Sequence, residues 1–459
     1  MAAGISRVLI ANRGEIAVRI VRACFDEGLE TVLVVSDADR DSLAAQLADR
    51  VVCIGPPSAT ESYLDIGRLM AAATGTGCDA LHPGYGFVSE RPALSEACGE
   101  AGIAFVGPSP EAMRRSGDKA AARSIARSLG INVGVGSEIV ATGDEAAAVA
   151  ERIGFPLLLK AAGGGGGRGM RRVDEPGELR GAWTAASVEA QQAFGDGRLF
   201  VERFVRRARH VEVQILADRH GGVIHLGDRD CTLQRRYQKL IEEAPAPALP
   251  GGLEHEIRAA AVELIAAVGY EGAATCEFLI DQEAATYGFL EINARLQVEH
   301  PVSEMVTGID IVREQLRIAG GERLSVTQDE VKLAGHSVEV RVNAESPQDD
   351  FMPTPGRLAA WTAPVGTDVR VDTACFPGWT IGPYYDSLLA KIVTRGPTRE
   401  DAIATARHAL QHLRVEGVQT TAGFASDLLA HPAVAAAQTH TRWIEEEFMP
   451  EWNAREARV

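Results

Sequence analysis

The amino-acid sequence predicts an α/β protein, with α+β character in part, that begins with a parallel sheet. Residues 7–110 alternate short apolar strands with helical stretches, a rhythm typical of βαβ units. Residues 115–335 add strands in which polar and apolar residues alternate, as in half-buried sheets. At 459 residues the chain exceeds the size that one hydrophobic core usually supports, so we expect about two to four domains.

The first region owes its predicted strands to four apolar runs, which are residues 7–11, 31–35, 51–54 and 80–81. Asn12-Arg-Gly14 forms a turn after the first run and leads into an amphipathic helix. His82-Pro-Gly-Tyr-Gly86 follows the fourth run. Because α/β sheets bind ligands at the carboxyl ends of their strands, this turn is a candidate binding element.

The middle region combines two predicted helices, one from Asp118 and one over residues 254–268, with several strands. The strand patterns lie at residues 156–160, 170–173, 199–204, 210–216, 223–226, 274–280 and 287–293. Residues 244–252 are rich in proline and glycine, which predicts a connector. The last region opens with an alternating strand at 337–343 and ends with an alanine-rich helix near 400–413.

Composition excludes several classes of protein. The net charge of −17 disfavours general nucleic-acid binding, so an anionic substrate needs a locally basic pocket. No apolar run approaches the length of a membrane span, and the first residues lack the pattern of a signal peptide. Seven scattered cysteines without a C-x-x-C pair predict neither a zinc site nor a disulfide framework. We therefore expect a cytoplasmic location.

Five consecutive glycines, residues 163–167, follow an apolar strand that ends at Lys160. Glycine lets the backbone approach a ligand closely and present N–H groups to phosphate oxygens. Because residues 170–173 read as a returning strand and not as a helix, the segment is not a dinucleotide-binding fingerprint. We predict a mobile hairpin over the phosphates of a nucleotide, with Lys160 as a phosphate-binding charge. A flexible linker is the alternative.

Lysine is scarce, with five lysines beside 41 arginines, so each lysine is a candidate for a specific role. One of them, Lys239, ends the charged segment 228–239. A run of charges is usually a solvated loop, and that alternative stays open for this segment. Lys332 lies in no motif and is predicted to be a surface residue.

Three oxygen-bearing side chains indicate a divalent-cation site. Glu277 lies on one predicted strand, and Glu291 and Asn293 lie on the next, so a hairpin would bring them together. Carboxylate and amide oxygens are hard ligands that suit Mg²⁺ or Mn²⁺. Two carboxylates that face inward repel each other unless a cation lies between them. An exposed edge strand is the alternative.

Residues 291–300 alternate polar and apolar side chains without a break. In an extended strand one face would therefore carry a row of polar groups, since side chains alternate with period two. These are Glu291, Asn293, Arg295, Gln297 and Glu299. Such a row is long enough to meet a metal, a phosphate and a second substrate in turn. A strand with a solvated face is the alternative that periodicity alone favours.

The chain resembles biotin carboxylase, the ATP-grasp component of the biotin-dependent carboxylases. The resemblance covers nearly the whole chain, and its motifs occur in the order of the family. They are residues 10–16, 82–87, 117–119, Lys160 with its glycine loop, 209–214, 234–239, 242–247, 293–301 and 384–387.

The resemblance implies roles for individual residues. Arg295, Glu299 and Lys239 are the implied catalytic residues, with Arg295 as the catalytic cation and Glu299 as the general base on bicarbonate. The implied ATP contacts are Lys119, Lys160, Gly166, Gly167, Glu202, Arg203, Phe204, Val205, His210, Gln234, Glu277 and Glu291. The implied metal ligands are Glu277, Glu291 and Asn293. Bicarbonate and biotin are implied to contact Lys239, Arg295, Gln297, Val298, Glu299, Arg341 and Tyr85, although Gln297 has no defined role.

Two positions depart from the family pattern. Tyr237 stands where some relatives carry histidine near the ribose, so no ligand role is assigned to it. Arg203 stands where others carry lysine, and because the adenine contact there is mainly through the backbone, little should change.

The resemblance also implies the fold. Residues 1–115 would form a Rossmann-like N-terminal domain and 116–335 an ATP-grasp domain with a mobile lid at about 134–205. Residues 336–446 would form a mixed biotin carboxylase C-terminal domain. The implied reaction is ATP- and bicarbonate-dependent carboxylation of biotin through carboxyphosphate, with ATP and two Mg²⁺ or Mn²⁺ ions. The implied partners are a biotin carboxyl carrier protein, a carboxyltransferase subunit and a second copy of the chain.

None of the five lysines has a methionine beside it, as a biotin acceptor site would, and no carboxyltransferase length remains. We therefore expect that the chain does not complete an acyl-CoA carboxylation alone, either as a separate subunit or as a fragment of a longer chain. Two alternatives remain, namely another ATP-grasp ligase that activates a different carboxylate, and an inactive nucleotide-binding scaffold within a carboxylase assembly.

Overall fold

A computed structural model describes residues 4–137, 139–163 and 169–456. The predicted phosphate-loop glycines Gly166 and Gly167 lie outside these ranges. Among the described residues, no helix is long and apolar enough to cross a membrane.

The first region forms a five-stranded parallel sheet, which confirms the βαβ prediction. Its strands are β1 (Arg7–Ile10), β2 (Glu30–Ser36), β3 (Arg50–Gly55), β4 (Ala80–His82) and β5 (Ala104–Phe105), in the order β3-β2-β1-β4-β5. Its helices are α1 (Gly14–Asp26), α2 (Leu43–Leu47), α3 (Ile66–Thr76), α4 (Pro92–Glu100) and α5 (Pro110–Gly117). Apolar strand residues are buried on both faces of this sheet, as a parallel sheet covered by helices requires.

A small three-stranded sheet follows the helix α6 (Lys119–Ser128). It consists of β6 (Leu157–Ala161), β7 (Met170–Val173) and β8 (Leu199–Arg203) in the order β7-β6-β8. Helices α7 (Gly143–Ile153) and α8 (Leu179–Phe194) pack against it around a core of their own. Residues 170–173 are the returning strand that the sequence predicts, because β7 pairs antiparallel with β6.

The largest sheet is antiparallel and has eight strands. Its members are β9 (Ala208–Ala217), β10 (Val223–Arg235), β11 (Gln238–Ala244), β12 (Gly272–Asp281), β13 (Thr286–Asn293), β14 (His336–Asn343), β19 (Val369–Thr373) and β21 (Leu388–Gly396). Their order is β13-β12-β9-β10-β11-β14-β21-β19. The pairing of β11 with β14 carries the sheet across residue 335, where the sequence places a domain boundary.

The other strands and α-helices of the described residues are the following. The remaining strands are β15 (Glu345–Ser346), β16 (Met352–Pro353), β17 (Gly356–Arg357), β18 (Ala360–Thr362), β20 (Thr380–Ile381) and β22 (Arg414–Glu416). The remaining helices are α9 (Leu253–Val268), α10 (His300–Thr307), α11 (Ile311–Ala319), α12 (Arg399–His412), α13 (Ala422–Ala430), α14 (Pro432–Ala435) and α15 (Met449–Glu456).

The charged segment 228–239 is not a solvated loop. It forms the end of β10, a two-residue turn and the start of β11, and most of it is buried. Its buried charges are paired, since Asp228 binds Arg258, Arg229 binds Glu212 and Asp230 binds Arg209. Pairing removes the cost of burying isolated charges, and the segment can therefore lie inside the sheet.

Candidate active site

The predicted hairpin of carboxylates is present. Strands β12 and β13 are antiparallel and place Glu277 directly opposite Glu291. The amide of Asn293 donates a hydrogen bond of 2.8 Å to the Oε1 atom of Glu277. The oxygen ligands predicted for a divalent cation therefore lie together at one end of the large sheet.

Cationic side chains surround these carboxylates. The Nζ atom of Lys119 lies 2.8 Å from Glu291, and the Nε2 atom of His210 lies 3.2 Å from Glu277. Burial opposes ionisation of Glu277, but Lys239 and His210 outweigh it and hold the pKa of this carboxyl well below its usual value. Glu277 is therefore an anion in the resting site.

The extended strand predicted for residues 291–300 is wrong beyond its third residue. Strand β13 ends at Asn293, residues 294–299 form an irregular connection, and α10 begins at His300. The polar side chains remain neighbours even so, because the guanidinium of Arg295 donates to Gln297 (2.9 Å) and to Asn293 (3.2 Å). The turn of the chain brings the carboxylate of Glu299 back towards the sheet.

Glu299 is buried between two cations. Its Oε1 atom lies 2.5 Å from the Nζ atom of Lys239, and its Oε2 atom lies 3.0 Å from Arg341. Burial alone would raise the pKa of Glu299, but Lys239, Arg341 and Arg229 hold it well below the usual value. While both contacts persist, Glu299 is ionised and only weakly basic.

Two further buried carboxylates hold these cations in place. Lys239 lies 2.8 Å from Glu212, and the Nε atom of Arg341 donates to Glu242 at 2.6 Å. Glu212 in turn binds the fully buried Arg229 at 2.6 Å. The site is therefore a continuous network of alternating charges, in which each charge has a partner of opposite sign.

Some of the predicted nucleotide residues lie on or beside the small sheet, whereas others, such as His210 and Gln234, lie on the large sheet. On β8, Glu202 binds both Lys160 (2.5 Å) and Arg123 (2.5 Å). Arg203 ends the strand with an exposed side chain, and Phe204 and Val205 follow it. The ring of Phe204 packs against the guanidinium of Arg172, 4.5 Å from its centre.

Three predicted residues make other contacts. The amide of Gln234 donates to the carbonyl oxygen of Cys231 at 3.4 Å. The hydroxyl group of Tyr85 donates to Glu15. The carbonyl oxygen of Val298 accepts a hydrogen bond of 2.9 Å from Lys391. Lys332 is exposed, as predicted.

Sequence reasoning assigned no role to the residues that support the predicted ones. They are Glu90, which lies 3.1 Å from Arg295, and Glu212, Arg229, Glu242 and Lys391. One signal was available for Glu212. The alternation in residues 210–216 places Glu212 on the same face of its strand as the predicted site residue His210.

Three family models match the chain. The model for the N-terminal domain of biotin carboxylase matches residues 4–113. The model for the ATP-binding domain of the carbamoyl-phosphate synthase L chain matches residues 118–327. The model for the C-terminal domain of biotin carboxylase matches residues 339–446.

Individual proteins are similar over almost their whole length. Biotin carboxylase 1 of Bacillus subtilis is 46% identical over 442 residues, which cover 96% of this chain and 98% of that protein. The crystal structure of a biotin carboxylase–β,γ-ATP complex from Campylobacter jejuni has a TM-score of 0.93 at 42% identity, covering 96% of this chain and 99% of that one.

A third relative was crystallised with ligands. It is the biotin carboxylase domain dimer of 2-oxoglutarate carboxylase from Hydrogenobacter thermophilus, in complex with MgADP, ADP and bicarbonate. Its TM-score is 0.92 at 39% identity, and the match covers 96% of this chain and 98% of that one.

Proposed function

The chain belongs to the biotin carboxylase family, and from this premise we propose how its residues divide the work of the reaction. The protein is an ATP-dependent ligase that uses bicarbonate to carboxylate biotin. The observation that carries our assignment of roles is the burial of Glu299 between Lys239 and Arg341.

The carboxylate hairpin fits a divalent cation. Glu277 and Glu291 lie directly opposite each other on neighbouring antiparallel strands, and the amide of Asn293 is bonded to Glu277 at 2.8 Å. We assign Glu277, Glu291 and Asn293 as the ligands of Mg²⁺ or Mn²⁺, which neutralises phosphate charge when bound. Lys119 and Lys160 then hold ATP phosphates, together with Gly166 and Gly167. Residues 202–205, His210 and Gln234 hold the rest of the nucleotide.

We assign Lys239, Arg295 and the Val298 backbone to the binding of bicarbonate. Its oxygen attacks the γ-phosphate of ATP, and Glu299 accepts the proton, which gives carboxyphosphate and ADP. Because Lys239 and Arg341 keep Glu299 weakly basic at rest, bicarbonate must draw Lys239 towards itself before Glu299 becomes an effective base.

Biotin reacts in the same pocket. Carboxyphosphate breaks down to CO₂ and phosphate, the phosphate takes the proton from the ureido nitrogen of biotin, and that nitrogen attacks the carbon of CO₂ to form carboxybiotin. The biotin anion needs a fixed positive charge, which the always protonated guanidinium of Arg295 supplies. Arg341 and Tyr85 contact biotin or the carboxyphosphate, and Gln297 orients Arg295 through their 2.9 Å hydrogen bond.

The partners follow from the chemistry of the family. We infer that the biotin is carried by a biotin carboxyl carrier protein and that a carboxyltransferase subunit uses the carboxybiotin, as in an acetyl-CoA or acyl-CoA carboxylase. A homodimer is expected, and the relative from Hydrogenobacter thermophilus was crystallised as a domain dimer. We place the protein in the cytoplasm.

One assay tests both the activity and the roles. Bicarbonate-dependent ATP hydrolysis is measured with and without free biotin, which should stimulate it. No stimulation by biotin would refute the proposed activity. ATP hydrolysis that needs no bicarbonate would then indicate a ligase for another carboxylate, and the absence of hydrolysis would indicate a scaffold. Lys160→Ala should lose ATP affinity, and Lys332→Ala is the matched control because Lys332 is exposed and lies in no motif. Full ATP affinity in Lys160→Ala would contradict the role of Lys160.

A further inference from the structure

Lys391 is a fully buried lysine to which the reaction as described gives no role. Its side chain is 0% exposed. It lies on β21, directly opposite Arg341 of β14 on one side and Asp372 of β19 on the other. Residues that are opposite each other in a sheet point to the same face, so Lys391 and Arg341 emerge side by side.

These two neighbouring cations bind Val298 and Glu299, two consecutive residues of the irregular connection formed by residues 294–299. The ammonium group of Lys391 donates to the carbonyl oxygen of Val298 at 2.9 Å. Arg341 binds the carboxylate of the next residue, Glu299, at 3.0 Å. Residues 294–299 belong to no helix or strand, so these side-chain contacts add to the few backbone hydrogen bonds that join the segment to α10.

Lys391 is also linked to Tyr85. Its ammonium group lies 3.2 Å from the Oε1 atom of Glu15 on α1. The hydroxyl group of Tyr85 donates to the same oxygen atom. One buried lysine therefore links three segments. They are α1, the turn that carries Tyr85, and the irregular connection 294–299.

Neutralising buried charge does not account for all of these contacts. Asp372, 3.8 Å from Lys391, already has two bonds from Arg370, at 2.8 and 2.7 Å. Glu15 at 3.2 Å, together with the buried Glu339 on the neighbouring strand, offsets the charge of Lys391. The bond to the Val298 carbonyl satisfies no charge, and it acts on the residue whose backbone is assigned to bicarbonate.

We propose that Lys391 is a positioning residue that sets the Val298–Glu299 connection and, through Glu15, the hydroxyl group of Tyr85. This inference rests on the proposed roles of Val298, Glu299 and Tyr85. It makes Lys391 important for bicarbonate and biotin and unimportant for ATP, whose assigned residues lie on other elements.

The test compares Lys391→Met with Lys391→Met/Glu15→Gln. The single variant leaves Glu15 buried without its cation and should be less stable. The double variant removes both charges and keeps an oxygen acceptor for Tyr85, so its thermal stability should return towards that of the wild type. Both should lose about 10²-fold in biotin-dependent turnover and raise KM for bicarbonate, since a displacement of about 1 Å can have that effect. KM for ATP should stay within about two-fold.

The outcomes separate the possible roles. A double variant that regains both stability and turnover would show that Lys391 only balances charge and would overturn the inference. A parallel loss of ATP affinity would do the same. If neither methionine variant folds, Lys391→Arg keeps the charge but moves the donor atoms, and normal bicarbonate and biotin kinetics in it would also overturn the inference. A wild-type protein without biotin-dependent turnover would instead refute the proposed function.

Discussion

Replacing Lys239 by methionine should damage the stability of the protein as well as its activity. The ammonium group of Lys239 lies 2.5 Å from Glu299, 2.8 Å from Glu212 and 3.5 Å from Glu277. Methionine has a similar length but no charge. Lys239→Met would therefore leave three buried carboxylates facing one another without their common cation.

The distances set the size of the effect. At 2.8 Å and an effective dielectric constant of about 20, one contact of opposite unit charges is worth about 6 kcal/mol before desolvation is subtracted. Removing one partner of a buried ion pair costs about 3–5 kcal/mol in net stability, because the other charge stays buried. We expect Lys239→Met to lower the free energy of unfolding by about that amount.

Urea unfolding followed by circular dichroism measures this difference. Lys332→Met is the matched control, because Lys332 is exposed and surface changes usually alter stability by less than about 0.5 kcal/mol. A Lys239→Met protein as stable as the control would refute the reasoning. It would mean that the three carboxylates are hydrated or protonated and do not depend on Lys239.

Three further predictions concern other groups. Arg295→Ala should bind ATP normally but lose about 10²- to 10³-fold in biotin-dependent turnover, as when one preorganised charge-stabilising donor is removed, and normal turnover would contradict its assignment. Glu291→Gln should need more Mg²⁺ for half-maximal activity, because a hard anionic ligand is lost, and an unchanged Mg²⁺ titration would count against the metal site. Burial opposes ionisation of Glu243, but His336 and Arg399 lower its pKa to about 2. Its ionisation therefore stabilises the fold at neutral pH by about 3 kcal/mol. This stabilisation is lost as the pH falls from about 4.5 to about 2 and Glu243 becomes protonated. Urea unfolding across that range should show wild type and Glu243→Gln becoming more alike, and a constant difference would exclude this effect.

The fold could be predicted from the sequence where local patterns decide the structure. The apolar runs of the first region gave the parallel sheet, and the strand on each side of the glycine loop was confirmed. The alternation of polar and apolar residues predicted an extended strand over residues 291–300, and this was wrong. Period two is necessary for a half-buried strand, but it does not exclude an irregular connection. There the side-chain contacts of Arg295 and the burial of Glu299 override the local pattern.

The pairing of the candidate metal ligands could be predicted from the sequence, but the contacts that support the site could not. Glu277 and Glu291 were paired correctly because their strands are close in sequence. The contacts of Glu242 and Lys391 could not be predicted, because the groups they bind, on Arg341 and Val298, lie about 100 residues away in the chain. Composition and spacing carry no information on such distant pairs, which exist only once the large sheet has formed.

The continuity of the eight-stranded sheet bears on how this protein can be dissected. A truncation after residue 335 would remove β14, the antiparallel neighbour of β11. It would turn an interior strand into an open edge, and open edges recruit other chains. Such a fragment should aggregate even though it retains all residues of the carboxylate hairpin. Truncation sites should instead not separate strands that share hydrogen bonds, even where the sequence predicts a domain boundary between them.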